Sequence, residues 1–300
     1  LSSLARLIAM FPHAMLRQEP MSRHTSFGIG GPADALCVPR DLAELKAVLR
    51  AAGDGRVPIT IMGHGSNLLV RDGGIRGLVI KISGTLDQVA VRGDSITAGA
   101  GVLLSALARQ AAEAGLTGLE FAAGIPGTLG GALYMNAGAY DGEMKDVVTA
   151  MRVLAEDGAE RMLTIDELAF GYRQSVLQGH RLIALEATLQ LRPGPREAIF
   201  AKIEELNRRR REKQPLAIPS AGSVFKRPPG NFAGTLIEQA KLKGCRIGGA
   251  EVSTLHAGFI VNVGAATARD VVALINHVQG VVQANSGVLL EPEIRIIGEE

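Results

Sequence analysis

Two periods of apolar residues run along the 300-residue chain. Between Asp41 and Ala52, Leu42, Leu45, Val48 and Leu49 fall on one face. Asp41 can cap and Glu44 follows three residues later, so the spacing predicts a helix, ended by Gly53-Asp54-Gly55. Helical spacing recurs over Val102–Ala114 and stops at Gly115. Arg196–Lys213 predicts a further helix, Leu236–Ala240 a short one, and Thr267 with Asp270 caps one running to about Asn285. The β-branched run Val57–Met62 predicts a buried strand; Leu68–Val70, Leu78–Ile82, Arg181–Leu191 and Gly258–Val263 predict others. Val147–Ala155 and Glu160–Ile165 flank Glu156-Asp157-Gly158, a hairpin signal. Val288–Gly298 is strand-like, with Pro292 marking an edge or a bend. Strands outnumber what a simple alternating chain would contain, which predicts an α+β fold with at least two lobes. The Pro193-Gly194-Pro195 break is the expected domain boundary.

Composition narrows the function classes. With 47% hydrophobic and 21% charged residues the chain can bury a core, which excludes disorder as its main state. A net charge of +2 gives no bulk attraction to nucleic acid or membrane, and 4% aromatics without Trp argue against base-stacking platforms. Cys37 and Cys245 cannot build a disulfide framework or a multi-cysteine zinc site, which fits a reducing compartment. The six histidines show no paired metal spacing, so no metal is expected. Arg6 and Pro12 break the apolar start, which lacks a small-residue cleavage site; no signal peptide is expected. The 37 glycines are the anomaly, and they cluster.

Gly28-Ile29-Gly30-Gly31-Pro32-Ala33 matches G-x-G-x-x-A. However, Met21–Phe27 is a poor strand and Ala33–Val38 looks extended, so a turn before a strand is the better reading. No P-loop occurs. Gly63-His64-Gly65-Ser66-Asn67 ends a strand and offers either a tight turn or a nest of N–H groups for phosphate oxygens. Phe121–Tyr140 is free of charge and holds five glycines, Pro126 and Asn136, so it reads as a buried glycine-rich loop system rather than a membrane helix. Its glycines permit close approach of a ligand, with Asn136 and Tyr140 as hydrogen-bonding groups. Arg173, in Phe170–Ser175, is a natural fork for a carboxylate, though an isolated arginine is ordinarily solvated. Glu291 and Glu293 share a strand face or form a surface pair. Arg208–Arg211 is a solvated helix end or an anion anchor.

TSFGIGGPAD, GHGSNLLV, AGIPGTLGGALYMNAGAY, FGYRQS, AGSVFKRPPG and LKGCRIGGAEVSTLHAGFIVN follow one another in this order. Together they resemble the UDP-N-acetylenolpyruvoylglucosamine reductase family over nearly the whole chain, and the shorter subtype that lacks a substrate-tyrosine loop. The resemblance implies a two-lobed FAD-binding region of the vanillyl-alcohol-oxidase type over 1–194 (lobes 1–82 and 83–194), then an α+β substrate domain over 195–300. It implies non-covalent FAD held by Gly63, Gly65, Ser66, Asn67, Leu68, Gly124, Ile125, Pro126, Gly127, Gly130, Gly131, Asn136, Gly138 and Tyr140. Arg173, Ser223 and Glu293 match the family's catalytic residues. Tyr172, Lys213, Lys226 and Gln239 match substrate positions, whereas Arg227 departs from the other subtype's Asn. The implied reaction is the NADPH-dependent reduction of UDP-N-acetylglucosamine enolpyruvate to UDP-N-acetylmuramate for peptidoglycan, by a cytoplasmic monomer with no nucleic-acid or membrane partner. Two other readings compete: a different flavin enzyme of the same fold, with His64 the nearest candidate for covalent attachment, and a nucleotide or nucleic-acid binder using Arg208–Arg211.

Overall fold

A computed structural model describes residues 2–300. Contacts divide the chain into two compact units, neither of them continuous in sequence. The first takes the residues up to Met15, Cys37–His64 and Val79–Arg209; the second takes Leu16–Leu36, Gly65–Leu78 and Arg210–Glu300.

The first unit is built on a five-stranded antiparallel sheet. Its order is Glu160–Thr164, Val148–Leu154, Ile183–Gln190, Ser95–Gly99, Val89–Arg92. Period-two alternation turns Ile96, Ala98, Met151, Val153, Ala187 and Leu189 into one core. The helices Leu104–Glu113 and Leu129–Met135 supply Leu104, Leu107, Ala111, Leu129 and Leu133 to that core. The predicted hairpin forms in register, Leu154 opposite Glu160, with its turn closed by Gly158 N–H donating to Ala155 O at 2.9 Å. The proline-rich break is tied down here too: Arg192–Pro193 pairs with Leu116–Thr117, and Gly194 N–H donates to Gly115 O at 2.8 Å.

In the second unit a four-stranded antiparallel sheet runs Ser220–Ser223, Phe259–Asn262, Ala250–Val252, Arg246–Ile247. The long Ala268–Ser286 helix lays Val271, Leu274, Ile275, Val278 and Val282 into its core, a stripe of helical period. Phe27, Ile29 and Leu69 join the same core from early in the chain. Leu68–Val70 pairs in parallel with Arg295–Ile297.

Three local expectations change. The Ile59–Met62 strand buries only Met62, with Ile59 38% and Ile61 36% exposed, because β-branching favours an extended backbone whether or not it is covered. The glycine-rich stretch is not all loop: Leu129–Met135 is a helix with Thr128 as N-cap and Asn136 as a left-handed C-cap. Its buried Leu129, Ala132 and Leu133 share one side, and that packing outweighs the low propensity of Gly130 and Gly131. The proline-rich loop after Lys213 contains the Ser220–Ser223 strand.

Candidate active site

The first unit carries the glycine-rich segment and the Arg173 turn. Several of its glycines are required by the chain's own crowding. A Cβ on Gly63 would strike Thr128 Oγ1; on Gly130 it would lie 3.1 Å from Ala100; on Gly138 it would lie 2.6 Å from Gly142 O. Leu129 N–H and Gly130 N–H donate to Val102 O and Ala100 O, each at 2.8 Å, and Ile125 N–H to Ala122 O at 3.0 Å. Gly131 differs. It is exposed, and nothing lies nearer to its missing Cβ than Thr128 Oγ1 at 3.7 Å. Gly127, at φ 127°, adopts backbone closed to other residues. This bare stretch around Gly127 and Gly131 is the kind of surface against which a phosphate-bearing cofactor can lie closely, so the residues present fit FAD. Gly124 and Ile125 are half-buried beside it and Pro126 is exposed. Tyr140 is exposed at 39%, in left-handed backbone.

Asn136 is fully buried and its side chain is taken up by the protein itself. Nδ2 donates to Glu143 Oε2 at 2.7 Å and to Gly171 O at 3.0 Å, and Oδ1 accepts from Lys145 N–H at 2.9 Å. The Gly171 bond leads straight to Arg173. Gly171 and Gln174 exchange backbone hydrogen bonds at 3.1 and 3.2 Å, leaving Tyr172 and Arg173 at the tip of a tight turn. Arg173 has φ 57°, and its guanidinium lies 5.1 Å from the Tyr172 ring centroid, within cation–π range. Ser175 Oγ and Gln178 Nε2 donate to Tyr134 O at 3.0 and 2.8 Å, and Gln178 Nε2 also donates to Arg173 O at 2.9 Å. Sequence reading missed Ser175 and Gln178 as supports; only their nearness to Arg173 in the chain pointed to them.

The second unit brings Ser223 and Glu293 onto neighbouring backbone. Glu293 N–H donates to Val224 O at 2.6 Å, Phe225 bridges to Pro292, and Lys226 N–H donates to Glu291 O at 2.8 Å. Lys226 Nζ lies 3.2 Å from Glu291 Oε2. Asn67 Nδ2 donates to Glu293 O at 3.3 Å, while Arg295 N–H donates to Asn67 O at 2.9 Å. Asn67 therefore anchors the Glu293 segment. Gly65, at φ 73°, presses against His24 O and accepts from Ser26 N–H at 3.2 Å. Ser66 is half-buried and Leu68 opens the strand paired with Arg295. Lys213 ends the Arg196–Lys213 helix and Gln239 the Ala233–Gln239 helix, both exposed. Arg227 stacks over Phe232 at 4.0 Å.

Gly28–Ala33 is a splice rather than a dinucleotide fingerprint. Gly28 N–H closes a turn on Thr25 O at 3.1 Å, Gly31 N–H donates to Arg71 O at 3.1 Å, and Pro32 opens the Pro32–Cys37 strand. Among the described residues no helix is long and apolar enough to cross a membrane.

Comparison with known proteins gives the family. The domain family described as FAD binding domain matches residues 33–163, and the UDP-N-acetylenolpyruvoylglucosamine reductase C-terminal domain matches 214–297. The chain is 51% identical over 291 residues to the UDP-N-acetylenolpyruvoylglucosamine reductase of Pediococcus pentosaceus, covering 97% of each chain. It is 54% identical to that of Caldanaerobacter subterraneus subsp. tengcongensis, covering 94% of this chain and 93% of the relative. The crystal structure of the Thermus caldophilus UDP-N-acetylenolpyruvylglucosamine reductase superposes with a TM-score of 0.80 at 38% identity, covering 94% of this chain and 97% of that one. An FAD-binding domain ahead of a reductase C-terminal domain makes the protein an FAD-dependent oxidoreductase of α+β fold. Identity at this level, sustained across both parts of the chain, shows that it belongs to the UDP-N-acetylenolpyruvoylglucosamine reductase family.

Proposed function

We propose that the protein reduces UDP-N-acetylglucosamine enolpyruvate to UDP-N-acetylmuramate with NADPH through non-covalently bound FAD. The step belongs to peptidoglycan precursor synthesis, and its substrates place it in the cytoplasm, where a monomer would suffice. The observation that carries this reading is the 51% identity to a reductase of that name over 97% of both chains. Gly127 and Gly131, with the segments Gly63–Leu68 and Gly124–Tyr140, would hold the FAD, and the region from 195 onward would carry the substrate. When bound, FAD supplies the hydride relay between nicotinamide and the enolpyruvyl double bond.

The chain's own residues do the rest. Arg173 offers a planar fork to the substrate carboxylate and stabilises the negative charge that spreads onto it as the double bond is reduced. Its turn is closed by the paired Gly171–Gln174 hydrogen bonds, so little reorganisation would be needed. Ser223 gives its hydroxyl proton to the carbon bearing the carboxylate. A hydroxyl is a weak acid, but a carbanion-like centre is a strong base, and positioning lowers the entropic barrier. Glu293 is held beside the Ser223 strand by the backbone ladder through Val224, and assists on the same side of the reaction. Tyr172, Lys213, Lys226 and Gln239 are assigned to the nucleotide-sugar.

The test is spectroscopic. Purified protein should be yellow, and acid precipitation should release the flavin into the supernatant. NADPH should bleach Ser223→Ala as it does the wild type, while recolouring by the enolpyruvyl nucleotide slows by about 10²–10⁴-fold. Equal loss in both half-reactions would remove the proton-donor role. A folded protein that takes up no FAD would remove the whole reading.

A further inference from the structure

The turn that carries Arg173 rests on a side chain outside every motif described above. Gln178 closes the Val176–Gln178 helical turn and is half-buried. Its carboxamide has two N–H donors. The nitrogen lies 2.8 Å from Tyr134 O and 2.9 Å from Arg173 O, so both directions are used. Tyr134 belongs to the last turn of the Leu129–Met135 helix, whose carbonyls have no partner within the helix. Gln178 therefore joins the end of that helix, at a carbonyl that Ser175 Oγ also reaches, to the carbonyl of the arginine itself.

The join matters because Arg173 sits at φ 57°. A side chain other than glycine holds that backbone only when its surroundings over-determine it. The Gly171–Gln174 bonds fix the turn's shape, and Asn136 fixes Gly171. Gln178 fixes the peptide that follows the arginine's Cα, and so sets the direction in which the guanidinium leaves the turn. We infer that Gln178 is a positioning residue for Arg173. It aims the fork at the substrate carboxylate through the backbone and touches no substrate itself. The inference rests on the role proposed above for Arg173.

Gln178→Met keeps the length and removes both donors; Gln178→Glu keeps the shape and sets an anion against two carbonyls. In the flavin-loaded full chain, limiting bleaching by NADPH should stay within about twofold of the wild type. Recolouring by the enolpyruvyl nucleotide should slow by about 10- to 100-fold, as expected for a misaligned group. Amide hydrogen exchange in the peptide spanning 170–176 should accelerate while the sheet strands keep their protection. Arg173→Ala combined with Gln178→Met should recolour no more slowly than Arg173→Ala alone, since a residue acting through another has nothing left to position. If Gln178→Met does not fold, Gln178→Glu is read in the same way. Wild-type recolouring in the Gln178 variants beside a slow Arg173→Ala overturns this inference alone. Fast recolouring in Arg173→Ala overturns the role of the arginine and this inference with it. Equal loss in both half-reactions, or additive losses in the double variant, assigns Gln178 to general stability and overturns it too.

Discussion

Single residues in this protein often serve the chain first. The side chain of Asn136 bonds through Nδ2 and Oδ1 to Glu143, Gly171 and Lys145, which makes it a strut for the arginine turn. Glu44 is another such hub. Its carboxylate accepts from Arg40 N–H at 2.8 Å, shares a 2.5 Å hydrogen bond with His13, and faces the Arg40 guanidinium at 3.3 Å. The backbone bond from Arg40 leads these effects, and together they overcome burial and pull the carboxyl down from 4.5 to about 2. A carboxyl lowered in the folded state contributes stability above its unfolded pKa and loses it as the pH falls through the folded value. The stability margin of wild type over Glu44→Gln should therefore be full at pH 7, narrow below about pH 4.5, and be nearly gone by about pH 2. Urea melts of both proteins across that range check this; a margin that does not change with pH would show that the charge contributes nothing.

At the scale of elements, local signals were legible where capping chemistry or alternation acts within a few residues. Asp41 caps the Leu42–Asp54 helix by accepting from Glu44 N–H, and Thr267 with Asp270 forms the expected capping box. The hairpin around Asp157-Gly158 and the helix Arg196–Lys213 also stand where the pattern put them. The Leu129–Met135 helix was not legible, because two glycines mask a buried stripe that only the surrounding sheet rewards. Nor did the sequence show that Asp72 completes the start of the Ala268–Ser286 helix, accepting from Ala268 N–H at 2.8 Å and Arg269 N–H at 3.0 Å. With Thr267 Oγ1 taking Asp270 N–H, the first three orphan donors of that helix are satisfied. Asp72→Ala should cost about 1–2 kcal/mol in chemical denaturation, and Asp72→Asn less, since one oxygen still accepts. An unchanged midpoint in Asp72→Ala would contradict this.

For the molecule as a whole, the ordered motifs made the family readable, because the residues that match it stand in short contiguous runs. The division into units was not readable. Membership of Leu16–Leu36 and Gly65–Leu78 in the second unit is set by pairings with residues far along the chain. Phe27, Ile29 and Leu69 are at most 2% exposed in a core otherwise made after Gly194. Each such side chain contributes about 1.5–3 kcal/mol on burial, against a usual total of about 5–15 kcal/mol. A fragment of residues 195–300 lacks all three, together with the strand beside Arg295–Ile297. It should show no cooperative thermal transition by circular dichroism. A sharp transition like that of the intact protein would prove the early segments dispensable.

The parallel pairing of Leu68–Val70 with Arg295–Ile297 also bears on how the protein is made. A ribosome releases the first of these strands long before the second. For most of synthesis Leu69 and Val70, fully buried in the finished protein, wait without the strand that covers them. The nascent chain thus displays a sticky edge until the Arg295–Ile297 segment emerges, and a chaperone that shields it, or slow growth in the cold, should raise the yield of native protein.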